Sequence, residues 1–151
     1  MRLFNLFKKK SEEIDDISKK YLSVGNKRYD ENDILVMSDV YQVFKKYQGY
    51  EKVIDLSDCE LVHDKVSCFI DELDDLEILC ENYDEFDDLY SNYKEFPVDE
   101  IGELGIFECM IIITALRRSE YWFGAGSNIY FGYTKNELIP KLIYRVVSLY
   151  E

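Results

Sequence analysis

The stretch Leu104 to Tyr133, LGIFECMIIITALRRSEYWFGAGSNIYFGY, constrains the fold more than any other. From Leu104 to Leu116 apolar residues cover nearly every face of a helix. A helix of that kind has to be surrounded by other elements, because no side of it suits water. The run Met110–Ile113 is its most hydrophobic part, but the region is too short to span a bilayer and contains Glu108. The expected fold is therefore all-α, a single compact domain over residues 1–151, with about six helices around a buried central helix of residues 104–118.

Length and composition agree with that expectation. A chain of 151 residues is one domain on size alone. It can bury roughly two thirds of the surface that the unfolded chain exposes, enough for a core without staples. An apolar content of 47% excludes a disordered chain despite a net charge of −13. The four cysteines, Cys59, Cys68, Cys80 and Cys109, form no CxxC pair, and no secretory leader pattern opens the sequence. Reduced, largely buried thiols in a cytoplasmic protein are expected.

Hydrophobic spacing divides the chain. Residues 1–10, MRLFNLFKKK, form an apolar and basic segment expected to fold back on the body. Ile14, Ile17, Tyr21 and Val24 fall at helical spacing, with Gly25-Asn26 as a stop. Asp30 to Asp33 starts a second helix, carried by Met37, Val40, Tyr41, Phe44 and Tyr47 and widened by Ile34, Leu35, Val36 and Val43. Cys59, Val62, Val66, Phe69, Leu73, Leu76, Cys80 and Tyr83 then alternate threes and fours, a heptad-like seam. After Tyr83 the stripe slips, so residues 58–95 read either as two helices broken near Glu81 to Asp84 or as one overwound helix. Asp99, Glu100 and Glu103 suit the start of the central helix. Ile129 to Tyr133 reads as an aromatic loop or short strand, and Thr134 with Glu137 has capping-box spacing. Leu138 to Tyr150 closes the chain as an amphipathic helix, with Pro140 tolerated in the first turn if Asn136 is the cap.

Charge is the most uneven feature. Between Asp55 and Glu103 there are 18 acidic residues against Lys65 and Lys94, a net of −16, whereas the rest of the chain sums to +3. Asp71, Glu72, Asp74, Asp75, Glu77, Glu81, Asp84, Glu85, Asp87 and Asp88 supply most of it. Tyr83, Phe86, Tyr90 and Tyr93 are interspersed. A surface of this sign repels nucleic acid and anionic membranes and attracts basic proteins. The plain alternative is a solvated face.

Signals for catalysis are weak. His63 is the only histidine and no second metal ligand is spaced from it. There is no GxSxG elbow, and the glycines of GAGSN are not followed by GK[ST]. Carboxylates between Asp71 and Asp88 are so many that matching two of them to an acid–base pair carries no information. No metal or cofactor is expected. The block Arg117, Arg118, Glu120 and Trp122 is the best local candidate for a pocket, with an Arg117–Glu120 pair and Arg118 stacked on Trp122. Its plain reading is a helix end closed by an aromatic anchor.

Two resemblances accompany these readings. Ala115-Leu116-x-Arg118-x-Glu120-x-Trp122, before a glycine turn and a closing helix over residues 115–150, resembles a block of small uncharacterised helical bacterial domains that have Arg-x-Glu-Arg-Phe and then Gly. Here Tyr121 and Trp122 replace the last two residues. That resemblance implies helical architecture and no activity. In general format the chain is similar to small acidic immunity proteins that neutralise bacterial polymorphic toxins. The expectation is a non-catalytic binding protein whose acidic helices cover a basic partner, for example the cleft of a toxin nuclease. Alternatives are a small-anion-binding or enzymatic domain using Arg117, Arg118 and Glu120, and a structural subunit of a cytosolic assembly that docks through residues 1–10.

Overall fold

A computed structural model of the chain describes residues 21–81, 98–124, 126 and 128–151. Among these the fold is all-α except for one two-stranded hairpin. Six α-helices are present: α1 (Glu31–Leu35), α2 (Ser38–Tyr47), α3 (Cys59–Asp75), α4 (Ile106–Phe123), α5 (Ile129–Lys135) and α6 (Leu138–Tyr150). Short 3₁₀ helices at Tyr50–Lys52 and Val98–Glu103 lead out of α2 and into α4.

The apolar run does what its pattern requires. Every residue of α4 from Ile106 to Leu116 is buried. Its surround comes from α1, α5 and α6 directly, while α2 and α3 close the same core through Phe44, Phe69 and Leu73. Aromatic rings join the layers. Phe44 of α2 meets Phe69 of α3 edge-on at 5.2 Å, and Tyr41 meets Tyr150 of α6 at 5.4 Å. Geometry of this kind adds to the burial of the rings. The Tyr150 hydroxyl donates to the carbonyl of Ile34, satisfying an acceptor in the last turn of α1.

The central helix extends past its expected end. It runs through Arg117 and Arg118 to Phe123 and stops at Gly124, whose φ of 78° is accessible to glycine without strain. The change from apolar to charged at Arg117 marks the edge of the core, and the backbone continues beyond it with the good helix formers Arg118 and Glu120. At the other end Asp99, Glu100 and Glu103 belong to the preceding 3₁₀ helix, and Gly105 is the cap.

Five other expectations are corrected. Tyr21 and Val24 are not on a helix, because Leu22–Val24 (β1) pairs antiparallel with Lys27–Tyr29 (β2). Gly25, at φ 60°, occupies the first position of the two-residue turn, where a positive φ suits the strand twist. Residues 30–47 form two helices. Ile34 and Val40 would lie about 120° apart on one continuous helix, and the break at Val36-Met37 lets both become fully buried. The opening Asp30–Asp33 signal is a capping box, with each side chain accepting from the other's backbone N–H at 2.8 and 3.0 Å.

The seam from Cys59 ends at Asp75, several residues before the expected break. Glu77 N–H donates to Asp74 O, and Ile78 N–H reaches Leu73 O. With buried Leu73 against buried Ile78, this is a Schellman closure. The left-handed position is filled by Glu77 (φ 56°) instead of glycine, which removed the usual stop signal. Glu77 is held there by an ion pair with Lys27 of the hairpin. The chain then passes along β1, and Glu81 N–H donates to Ser23 O at 2.6 Å.

Ile129 to Tyr133, expected as loop or strand, is helical. The Thr134–Glu137 capping box does not form. Thr134 is buried and its hydroxyl bonds the Tyr50 hydroxyl at 2.5 Å. Asn136 accepts instead from Leu138 N–H at 3.0 Å, leaving Pro140 in the first turn of α6. Of the cysteines, Cys80 and Cys109 are buried, Cys59 is half-buried and Cys68 is exposed; none of the four is in a disulfide. Burial raises the Cys109 thiol pKa far above its usual value.

At the start of α3, the Asp58 carboxylate accepts from Leu61 N–H at 3.0 Å. Asp58→Ala is expected to cost about 1 kcal/mol in chemical denaturation. An unchanged midpoint would show that the cap contributes nothing.

Candidate functional site

An acidic stripe follows from the period of α3. Val62, Val66, Phe69, Ile70 and Leu73 turn inward, so the residues opposite them face water. Glu60, Asp64, Asp71 and Asp75 are all exposed, at spacings of four, seven and four. On a helix these fall within an arc of about 60° and along about 22 Å. Among the described residues no basic side chain engages any of the four. Exposed Leu61 and Cys68 flank the stripe.

The acidic residues singled out from sequence divide into three groups. Asp71, Asp75 and Glu81 are exposed. Glu72, Asp74 and Glu77 are engaged by the chain's own cations. Asp74 takes a two-pronged contact from Arg117 at 3.0 and 3.1 Å. Glu77 pairs with Lys27, and Glu72 receives Lys46 at 3.0 Å together with the Tyr47 hydroxyl. Exposed pairs such as Arg117–Asp74 contribute about 1 kcal/mol or less, but they lower the charge offered to a partner. Tyr83, Asp84, Glu85, Phe86, Asp87, Asp88, Tyr90 and Tyr93 lie outside the described residues.

Glu72 gives a pH handle. The Tyr47 hydroxyl holds its carboxyl below the ordinary value of 4.5, partial burial opposes this, and Lys46 adds to the lowering. A lowered folded-state pKa means stability present above the unfolded value and lost as pH falls through the folded one. Glu72→Gln is expected to be less stable than the parent at neutral pH, with the difference shrinking below the ordinary pKa of 4.5. Equal melting temperatures at neutral pH would remove Glu72 from the account.

The second component was not read from the sequence as a surface. Tyr121, Trp122 and Phe123 are 80%, 70% and 65% exposed, on the last turn of α4 beyond the core. Trp122 therefore anchors nothing within the described residues; its one ring contact there is the edge of Tyr121 at 6.0 Å. Three consecutive residues point about 100° apart on a helix, so this end is a projecting aromatic knob. It lies beside the acidic helix. Glu120, one residue earlier, is 3.9 Å from Nε2 of His63 in α3. His63 in turn stacks on Tyr130 of α5 at 5.3 Å, so the histidine is a half-buried element of the junction between α3, α4 and α5.

These contacts also separate the members of the expected pocket. Arg117 and Arg118 share shallow hollows, one with Tyr121 and one with Asp74, Leu79 and Thr114. Arg117 is bonded to Asp74 and does not form the expected pair with Glu120, which turns toward His63. Among the described residues no three His, Cys, Asp or Glu side chains converge to hold a metal ion. No helix among them is long and apolar enough to cross a membrane.

No protein-family model, curated protein or solved structure matches the chain.

Proposed function

We propose that this chain is a non-catalytic binding protein whose acidic stripe and aromatic knob cover a basic surface of a partner protein, in the manner of an immunity protein that blocks the cleft of a toxin nuclease. The observation that carries the reading is the stripe Glu60, Asp64, Asp71 and Asp75, an ordered row of exposed carboxylates on a well-packed helix. A nuclease cleft holds phosphate with arginine and lysine. A rigid row of carboxylates meets those cations at little ordering cost, which speeds encounter and fixes register.

The knob supplies what charge alone does not. Tryptophan and tyrosine dominate binding energy when they enter a partner's pocket, and surrounding polar contacts exclude water. Tyr121 and Trp122 stand next to the acidic helix, so one partner can meet both.

The test is co-expression with the C-terminal domain of any large secreted protein encoded beside the gene. The expected result is survival of the producing cell with the parent chain, and recovery of a stable complex with a basic domain. Survival without any complex, or a complex with an acidic domain, would contradict the proposal.

A further inference from the structure

The last helix departs from the charge pattern of the chain. LIPKLIYRVVSLY holds Lys141 and Arg145 and no carboxylate, although acidic residues outnumber basic ones 31 to 18 overall. Lys141 and Arg145 are four apart and so share one face, with Tyr144 beside them. That face forms one wall of an open groove of about 480 Å³, whose other wall is the 3₁₀ helix Val98–Glu103. Val98 and Gly102 line it from that side, and a side chain at Gly102 would meet nothing within 4 Å.

Arg145 is held in place. Its Nε donates to the Leu104 carbonyl at 2.6 Å, and the residue is half-buried. That is the one hydrogen bond of the Arg145 side chain among the described residues, where the two terminal guanidinium nitrogens donate to no protein group. A fork fixed at its base, with both prongs unused, suits two oxygens of one planar or tetrahedral oxyanion. Lys141 adds a second cation. The carboxylate that lines the groove is Asp99, which pairs with Lys141 at 3.5 Å while its side chain is 98% exposed; Glu100 and Glu103 stand on the same 3₁₀ helix.

We infer that this groove binds a small organic oxyanion, a carboxylate or phosphate monoester carried on a compact apolar body. Arg145 grips the anionic end, Lys141 leaves Asp99 to join it, and the body lies against Val98 and the Tyr144 ring. The site lies on α6 and the 3₁₀ helix, and it shares no residue with the acidic stripe or the aromatic knob.

The experiment is a titration of the isotope-labelled full chain with phenyl phosphate, benzoate and inorganic phosphate, followed by amide and Arg145 Nε–H shifts in nuclear magnetic resonance spectra. Saturable shifts centred on Gly102, Lys141 and Arg145 are expected, with dissociation constants of about 0.1–3 mM for the better aromatic anion. The tighter of the two aromatic probes identifies the anion type. Inorganic phosphate is expected to bind at least about fivefold more weakly than phenyl phosphate, because it lacks the apolar body. Gly102→Leu fills the groove without altering charge and is expected to abolish the shifts. Asp99→Asn removes the competing carboxylate and is expected to tighten binding by about threefold. Arg145→Lys keeps the charge, loses the fork, and is expected to weaken binding about tenfold. If Arg145→Lys unfolds, the Gly102 and Asp99 variants decide alone. Absence of saturable shifts with both aromatic anions, or binding that survives Gly102→Leu, would overturn the inference.

Discussion

Phe107→Ala is expected to lower stability by about 3–5 kcal/mol, the largest single loss in the described core. Phe107 is completely buried, in the first turn of a helix whose next nine residues are buried too. Removing the ring leaves a cavity that the packed helices around it cannot fill, because the interior is close-packed and α4 is surrounded. For a chain of this length each kcal/mol moves the melting temperature by about 2–4 °C, so a fall of roughly 6–20 °C is expected. Scanning calorimetry checks it. A loss below about 1 kcal/mol would mean that α4 is not the centre of the core.

The second large effect is on binding. Replacing Glu60, Asp64, Asp71 and Asp75 together by lysine changes the net charge from −13 to −5, two units per site over four sites. None of the four caps a helix, and none is paired to a basic side chain in the described contacts, so the fold is expected to persist unchanged by circular dichroism. Association with the basic partner is expected to slow by about 10- to 1000-fold. Trp122→Ala acts differently. The ring is 70% exposed, so stability stays constant, while affinity is expected to fall by about 2 kcal/mol through faster dissociation. Surface plasmon resonance separates the two rates. A lysine-stripe variant that associates at the parental rate would show that the partner does not meet α3.

Much of this architecture was legible in the sequence, and the parts that were not share a cause. The core helix was readable because apolar residues around its whole circumference admit one solution. The seam Cys59 to Leu73 was readable from its threes and fours. Boundaries set by tertiary contacts were hidden. α3 closes on Glu77 in a left-handed conformation that an ion pair to Lys27 supports, and no glycine announced it. The hairpin at Leu22 to Tyr29 was obscured because Tyr21 and Val24 also fit a helical spacing. The break between α1 and α2 exists to bury both Ile34 and Val40, a reason visible only once the core is assembled.

The site divided in the same manner. The sequence showed that the middle of the chain is strongly acidic, but composition does not say which carboxylates are already engaged. Glu72, Asp74 and Glu77 meet Lys46, Arg117 and Lys27 from distant segments. Glu60 and Asp64 were passed over because they lie outside the densest acidic run, although helical spacing places them in line with Asp71 and Asp75. The aromatic block after Arg118 was noticed as a packed anchor. Its exposure depends on α4 outrunning the core, which the change of composition at Arg117 concealed.

The acidic stripe is expected to steer a basic partner onto this surface. Its most direct test is the association rate of the complex measured by stopped flow across a salt series, from about 0.05 to 0.5 M, where the screening length shrinks from roughly 14 to 4 Å. A fall of at least about tenfold is expected for the parent chain and a nearly flat response for the lysine-stripe variant. A parental rate that does not change with salt would contradict it.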